Sequence, residues 1–103
     1  MSFKVEFKNY LDELHKSLCE VSDWMYENPE LGFQEFKTSK HLVDYIQKNS
    51  KSVNYPSHGL ETAFDVTFGD DGPLVVICVE YDALPEIGHA CGHNIIATAS
   101  IGA

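Results

Sequence analysis

The sequence predicts an α/β fold, and three observations lead to that prediction. Two amphipathic helical segments come first, two strand-like segments follow them, and the second of these strands is apolar throughout. A strand that is apolar on both faces is typical of a sheet covered by helices. With 103 residues the chain is long enough for one small domain.

The first helix is predicted over Lys4–Glu27, because apolar residues recur at steps of four and three on one face. These residues are Phe7, Leu11, Leu14, Leu18, Val21 and Met25. The same period fits a coiled-coil seam, but about three heptads without a partner seam are weak evidence for one. Asn28 stands before Pro29 and is therefore pushed out of the helical conformation, so the helix is expected to end there.

A second helix is predicted over Gln34–Lys48, followed by a polar loop over 49–60. Its inward residues are expected to be Phe36, Leu42, Val43 and Ile46. Thr62–Phe68 alternates between apolar and polar residues and predicts a strand with one wetter face. Leu74–Val79 is continuously apolar and predicts a strand buried on both faces.

The last ten residues, Asn94–Ala103, carry no charge. A helix of this composition has no solvent face and belongs inside a larger body. We therefore expect the chain to stop short within a domain. The alternative is an oligomer that covers this tail.

The charge balance bears on partners and on location. The chain has 16 acidic and 7 basic residues, a formal net charge of -9. An acidic surface repels nucleic acid and anionic membranes, so neither is expected as a partner. The sequence has no apolar core of a secretory signal near its start and no stretch long enough to span a membrane, which predicts a soluble, cytoplasmic protein.

The three cysteines are an odd number, and in a reducing compartment they are expected to be free thiols or ligands rather than a disulfide framework. Cys19 and Cys78 lie beside or within apolar stretches and are interpreted as core residues. His15, His41 and His58 stand singly in polar surroundings and are interpreted as surface residues.

The stretch after the apolar strand carries the chemistry. His89, Cys91 and His93 occupy every second position. In an extended chain Cys91 faces the same side as either imidazole, whereas in a helical turn the two imidazoles would pair. Thiolate and imidazole are good zinc ligands. Three nearby carboxylates could bind a metal or orient an imidazole, namely Glu80, Asp82 and Glu86.

Spacing alone leaves the interpretation of this stretch open. A metal site would need further ligands beyond these three residues. A catalytic thiol at Cys91, activated by a neighbouring histidine, is a second reading. A buried turn without any chemistry is the third, because Pro85 and Gly88 favour a turn in any case.

Two motifs resemble the M20 metallopeptidase family. Residues 80–94, Glu-Tyr-Asp-Ala-Leu-Pro-Glu-Ile-Gly-His-Ala-Cys-Gly-His-Asn, are similar to its amidohydrolase branch, the subgroup with aminobenzoyl-glutamate hydrolase and peptidase M20 domain-containing protein 2. Residues 27–35, Glu-Asn-Pro-Glu-Leu-Gly-Phe-Gln-Glu, are similar to the helix-loop-helix near the start of that family. The resemblance implies that residues 1–103 are the N-terminal part of a three-layer αβα catalytic domain, like that of zinc exopeptidases. It also implies that the dimerisation domain is absent.

The resemblance further implies a two-metal hydrolase. Cys91 and His93 correspond to metal ligands, and Asp82 to the carboxylate that supports the metal site. His89, Glu80 and Asn94 are expected beside the site. Glu80 stands where other M20 branches carry a histidine ligand, and Asn94 stands where the wider branch more commonly has aspartate. The expected metal is zinc, with manganese or cobalt as alternatives that ligand type does not exclude.

The implied activity is metal-dependent hydrolysis of amide bonds in dipeptides or N-acyl amino acids. The general-base glutamate and the remaining ligands are expected beyond Ala103. A homodimer is expected for a full-length chain only, and the 103-residue chain by itself is expected to be inactive. The alternative is a truncated, inactive product with a partial metal site.

Overall fold

The computed structural model describes residues 2–49 and 52–103, and within these ranges the fold is built on three helices. They are α1 (Phe3–Glu27), α2 (Phe36–Asn49) and α3 (His93–Gly102). All three helices were predicted, with the start of α2 two residues later than expected. Ser50 and Lys51, part of the predicted loop, lie outside the described residues.

Local capping sets the bounds of α1. The Ser2 hydroxyl accepts a hydrogen bond from the Val5 amide at 3.3 Å, which satisfies one of the free N–H groups of the first turn. At the other end Asn28 leaves the helical conformation, as its position before Pro29 predicts. Its side-chain amide donates to the Trp24 carbonyl at 2.8 Å and so satisfies a carbonyl that the helix leaves free.

The core lies where α1 meets α2, α3 and the segment before α3. Its buried members are Val21, Met25, Leu42, Tyr81 and Ala97. The predicted stripe of α1 is confirmed at its C-terminal end, whereas Phe7 at the other end is exposed. On α2, Leu42 and Val43 are buried as predicted, but Phe36, the first residue of the helix, is 52% exposed.

Helix α3 packs closely on α1. A Cβ atom added at Gly102 would lie 2.9 Å from Leu18 Cδ1, so glycine permits this approach. The Asn94 amide donates to the Ser22 hydroxyl at 3.2 Å and ties the start of α3 to α1. The expected helix without a solvent face is present, yet Ile95 is 66% exposed within the described part of the chain.

The two predicted strands are wrong for this structure. Among the described residues there are only isolated bridges, including Asn54 to Asp65 and Leu31 to Ala83. Leu74–Ile77 is 58–86% exposed instead of doubly buried. An apolar run indicates a tendency to be buried, but a strand forms only where a second segment pairs with it. Within residues 2–49 and 52–103, no second segment pairs with Leu74–Val79. The α/β class is compatible with the structure, and the three-layer arrangement stays a prediction.

Two of the cysteine predictions are also wrong. Cys78 shares the exposure of the apolar segment around it, and Cys19 is exposed on α1. Cys19 follows Leu18 by one position, and one helical step of about 100° is enough to turn a side chain from the packed face towards solvent. All three cysteines are free, as expected. Within the described residues, no helix combines the length and apolar character that crossing a bilayer requires.

Candidate functional site

Residues 80–94 form a looped segment that ends at the start of α3, and backbone hydrogen bonds fold it back on itself. Leu84 and Gly88 exchange two hydrogen bonds, of 2.9 and 3.1 Å. Gly92 takes a left-handed conformation, with φ of 85°, and directly precedes α3. Glycine adopts this conformation without strain, which lets the chain turn sharply into the helix with His93 at its first position.

The motif at residues 27–35 contacts this looped segment and supports it. The Ala83 amide donates to the Glu30 carbonyl at 2.7 Å. A Cβ atom added at Gly88 would lie 3.7 Å from Pro29 Cβ, in ordinary van der Waals contact. The two motifs that are far apart in sequence are therefore neighbours in space, and the first is a scaffold for the second.

Asp82 and His93 form the best-defined polar pair of the site. His93 Nδ1 lies 2.8 Å from Asp82 Oδ1 and 3.0 Å from the Asp82 carbonyl oxygen. Both partners can only accept, so Nδ1 carries the proton and donates to them. In the neutral ring Nε2 then holds the free lone pair, which is the form that binds a metal.

Glu80 lies on the other side of the same imidazole. Its Oε2 is 4.0 Å from His93 Nε2, too far for a hydrogen bond but close enough for an electrostatic contact. The His93 side chain is mostly buried, whereas the carboxylates of Glu80 and Asp82 remain largely open to solvent. A ligand at Nε2 would therefore have a carboxylate beside it.

His89 is buried beside this pair and lacks partners. Its side chain is 6% exposed, and both ring nitrogens are without a hydrogen bond. Burial lowers the pKa of His89, the neighbouring His93 lowers it further, and Asp82 opposes both effects. His89 is therefore held neutral, with donor and acceptor capacity that the described residues leave unused.

The other predicted residues are placed less closely. The Cys91 thiol is exposed two positions before His93. Asn94 is buried and directed towards Ser22 on α1, so its amide nitrogen serves packing between helices. Glu86 is exposed in the turn, with a positive φ of 69°.

Two carboxylates near the site, Glu30 and Glu35, escaped the sequence analysis. Glu30 accepts hydrogen bonds from the first turn of α2. Burial raises the pKa of Glu35, backbone hydrogen bonds oppose this, and the charge of Asp82 adds to the increase. Burial, Glu35 and Tyr55 together raise the pKa of Tyr81 to about 12. The hydrogen bonds from Glu30 to α2 do not follow the capping-box spacing, so local sequence rules do not predict them. Only the family resemblance of residues 27–35 points to this segment.

The fit of this site to a metal ion is partial. His93 Nε2 and the Cys91 thiol are suitable donors for zinc. In residues 2–49 and 52–103, however, no group of three or more histidine, cysteine, aspartate or glutamate side chains is placed to hold a metal ion. A zinc site usually has four ligands, so these donors can form only part of one.

Comparison with known proteins finds relatives that are named as hydrolytic enzymes. The chain is 33% identical over 103 residues to mouse Xaa-Arg dipeptidase, an alignment that covers 90% of the chain and 24% of the relative. It is 29% identical over 101 residues to one of the subunits of the p-aminobenzoyl-glutamate hydrolase of Escherichia coli, covering 82% of the chain and 21% of the relative. It is 26% identical over 103 residues to N-acetylcysteine deacetylase of Bacillus subtilis, covering 85% and 27%.

The chain thus spans about a quarter of the length of the curated relatives that it matches. No family model matches it. By their names these relatives hydrolyse amide or peptide bonds, and several of them are M20 amidohydrolases.

Proposed function

Because the chain is a relative of the M20 amidohydrolases over most of its length, we propose that it forms the N-terminal part of the catalytic domain of an amide-bond hydrolase. The observation that carries the proposal is the Asp82–His93 pair at the start of α3. A carboxylate that fixes the tautomer of an imidazole is the usual support of a metal-binding histidine.

The proposed metal is zinc, with manganese or cobalt as alternatives, and Cys91 and His93 are its proposed ligands in this chain. When bound, a divalent ion lowers the pKa of a coordinated water and polarises the scissile carbonyl. Asp82 holds the His93 ring with Nε2 free to bind. Glu80, at 4.0 Å from Nε2, adds negative charge where a cation would sit.

The proposed substrates are dipeptides or N-acyl amino acids, in keeping with the names of the relatives. A complete active site needs further ligands and a general base, which would take the proton of the attacking water and pass it to the leaving amine. We assign both to a longer chain, which would also carry the homodimer contact. A cytoplasmic location suits the three free thiols, because a reducing compartment keeps Cys91 available as a ligand.

The second candidate is a chain that binds metal weakly and catalyses nothing by itself. It is favoured by the lack, within the described ranges, of a group of three or more side chains that could hold a metal ion. The two candidates share the metal ligands, and turnover by the 103-residue chain would exclude the second candidate.

The experiment measures zinc binding by calorimetry and hydrolysis of a dipeptide panel, with the 103-residue chain, His93→Ala, and the exposed His58→Ala as matched control. Turnover that a chelator and His93→Ala both abolish supports the enzyme in this chain. Binding that His93→Ala weakens, without turnover, supports the partial site. If His93→Ala and His58→Ala bind zinc as the parent does, the ligand assignment is wrong. A thiol enzyme would instead lose activity to iodoacetamide in metal-free buffer.

A further inference from the structure

Helix α1 carries a second pair of metal-ligand side chains beside the groove between α1 and α3, far in sequence from residues 80–94. His15 and Cys19 are one helical turn apart, and Cys19 Sγ lies 3.7 Å from His15 Nε2 and 4.0 Å from Nδ1. Both residues are exposed. Residues four positions apart on a helix face the same direction, so the helix itself brings these two groups together.

The distance between Cys19 Sγ and His15 Nε2 is close to the spacing of two donors on a tetrahedral metal ion. With Zn–S of about 2.3 Å and Zn–N of about 2.0 Å, a tetrahedral angle places the sulfur and nitrogen about 3.5 Å apart. The observed 3.7 Å separation differs from this by a few tenths of an ångström. Cys19 Sγ also lies 4.0 Å from His15 Nδ1, so the imidazole ring must turn to direct the Nε2 lone pair at a cation shared with the thiol.

We propose that His15 and Cys19 bind one thiophilic divalent cation, such as Zn²⁺ or Co²⁺, at a site separate from the one at Cys91 and His93. The cation would take His15 Nε2 and the Cys19 thiolate, which loses its proton to solvent on binding, and water would complete its coordination. The net charge of -9 favours the approach of cations. Because both ligands lie on one turn, the bound ion would cross-link two side chains in the middle of α1 and stabilise the helix there.

The experiment uses the full chain without a histidine tag and follows the thiolate-to-cobalt charge-transfer band during titration with Co²⁺. The parent variant is Cys91→Ser/His93→Gln, which removes the other thiol–imidazole pair. We expect this variant to retain one cobalt ion per chain with a thiolate band. Adding either Cys19→Ser or His15→Ala should weaken that binding at least tenfold. Alanine suits a helix, so His15→Ala leaves α1 intact.

The third exposed cysteine provides a matched control, because no histidine is hydrogen-bonded to Cys78 among the described residues. Cys78→Ser in the same parent should leave the cobalt band unchanged. Zinc should also raise the thermal unfolding midpoint of the parent, and this increase should disappear with Cys19→Ser.

Two results would overturn the proposal. One is a Cys91→Ser/His93→Gln variant that binds no cobalt through a thiolate. The other is binding that persists after Cys19→Ser or that Cys78→Ser removes. If the double substitution disturbs the circular dichroism spectrum, the wild-type chain serves as the parent instead. Cys19→Ser should then reduce its bound cobalt by one ion per chain, and an unchanged stoichiometry contradicts the site.

Discussion

Glu30 holds the start of α2, and its replacement by alanine should measurably destabilise the protein. Its Oε1 accepts hydrogen bonds from the Thr38 amide and the Thr38 hydroxyl, each at 2.6 Å. Its Oε2 accepts a hydrogen bond from the Lys37 amide at 3.2 Å. Thr38 is fully buried. In Glu30→Ala the two polar groups of Thr38 would remain buried without this acceptor.

The magnitude follows from those contacts. A hydrogen bond to a charged group contributes about 1.5–3 kcal/mol, and a buried donor left unpaired costs about 1–3 kcal/mol. Glu30 is partly exposed and water can replace some of its contacts, so we expect a loss of about 2–4 kcal/mol in the free energy of unfolding. Glu30→Gln keeps one acceptor oxygen and should lose about half as much.

Urea unfolding followed by circular dichroism measures this loss. With a slope of about 1–3 kcal/mol per molar urea, the unfolding midpoint of Glu30→Ala should fall by about 0.7–4 M. Glu13→Ala on the exposed side of α1 is the matched control and should stay within about 0.5 kcal/mol of the parent. Equal midpoints for Glu30→Ala and Glu13→Ala would refute the capping role.

Three further predictions concern the site, alkaline stability and the exposed apolar segment. Asp82→Asn should weaken zinc binding that depends on His93 by about 10–100-fold, measured by calorimetry in a Cys19→Ser background, and an unchanged affinity would contradict the supporting role of the carboxylate. Tyr81 has a folded pKa of about 12 against 10.0 unfolded, so the unfolded state loses its proton first and stability should fall as pH rises from 10 to 12. Tyr81→Phe should flatten that decline in a series of urea titrations, and a decline of equal size in the variant would exclude Tyr81 as its source. Val76 is 72% exposed in an apolar segment, so Val76→Lys should reduce any self-association through this segment and its binding of a hydrophobic dye, measured by light scattering and fluorescence. The same substitution should change the free energy of unfolding by less than about 0.5 kcal/mol. A large loss of stability in that variant would mean that the segment is packed in solution.

The helices were predictable because their signals are local. The apolar period of α1, the proline after Asn28 and the uncharged tail all act within one or two turns of chain. The choice of His93 and Asp82 as candidate site residues rested on residue types and on the family resemblance, and their roles stay a prediction.

The strands and the exposure of the cysteines were not predictable in this way. Leu74–Val79 has the composition of a buried strand, but burial depends on what packs against it, and residues 2–49 and 52–103 leave its first four positions exposed. Cys19 and Cys78 illustrate the same limit, because an apolar neighbour along the chain does not determine which way a side chain faces.

By itself the sequence determined the helical segments, the acidic charge and the side-chain types of the candidate site, because periodicity, composition and side-chain chemistry are properties of the chain. Only the tertiary structure decided that Asp82 accepts a hydrogen bond from His93 Nδ1. It also decided that the Glu30 carboxylate caps α2 while the Glu30 carbonyl accepts a hydrogen bond from the Ala83 amide. It also decided that both nitrogens of His89 are buried without partners. These contacts join residues that are well separated along the chain or depend on burial by the whole fold. Their geometry therefore exists only after the core has packed.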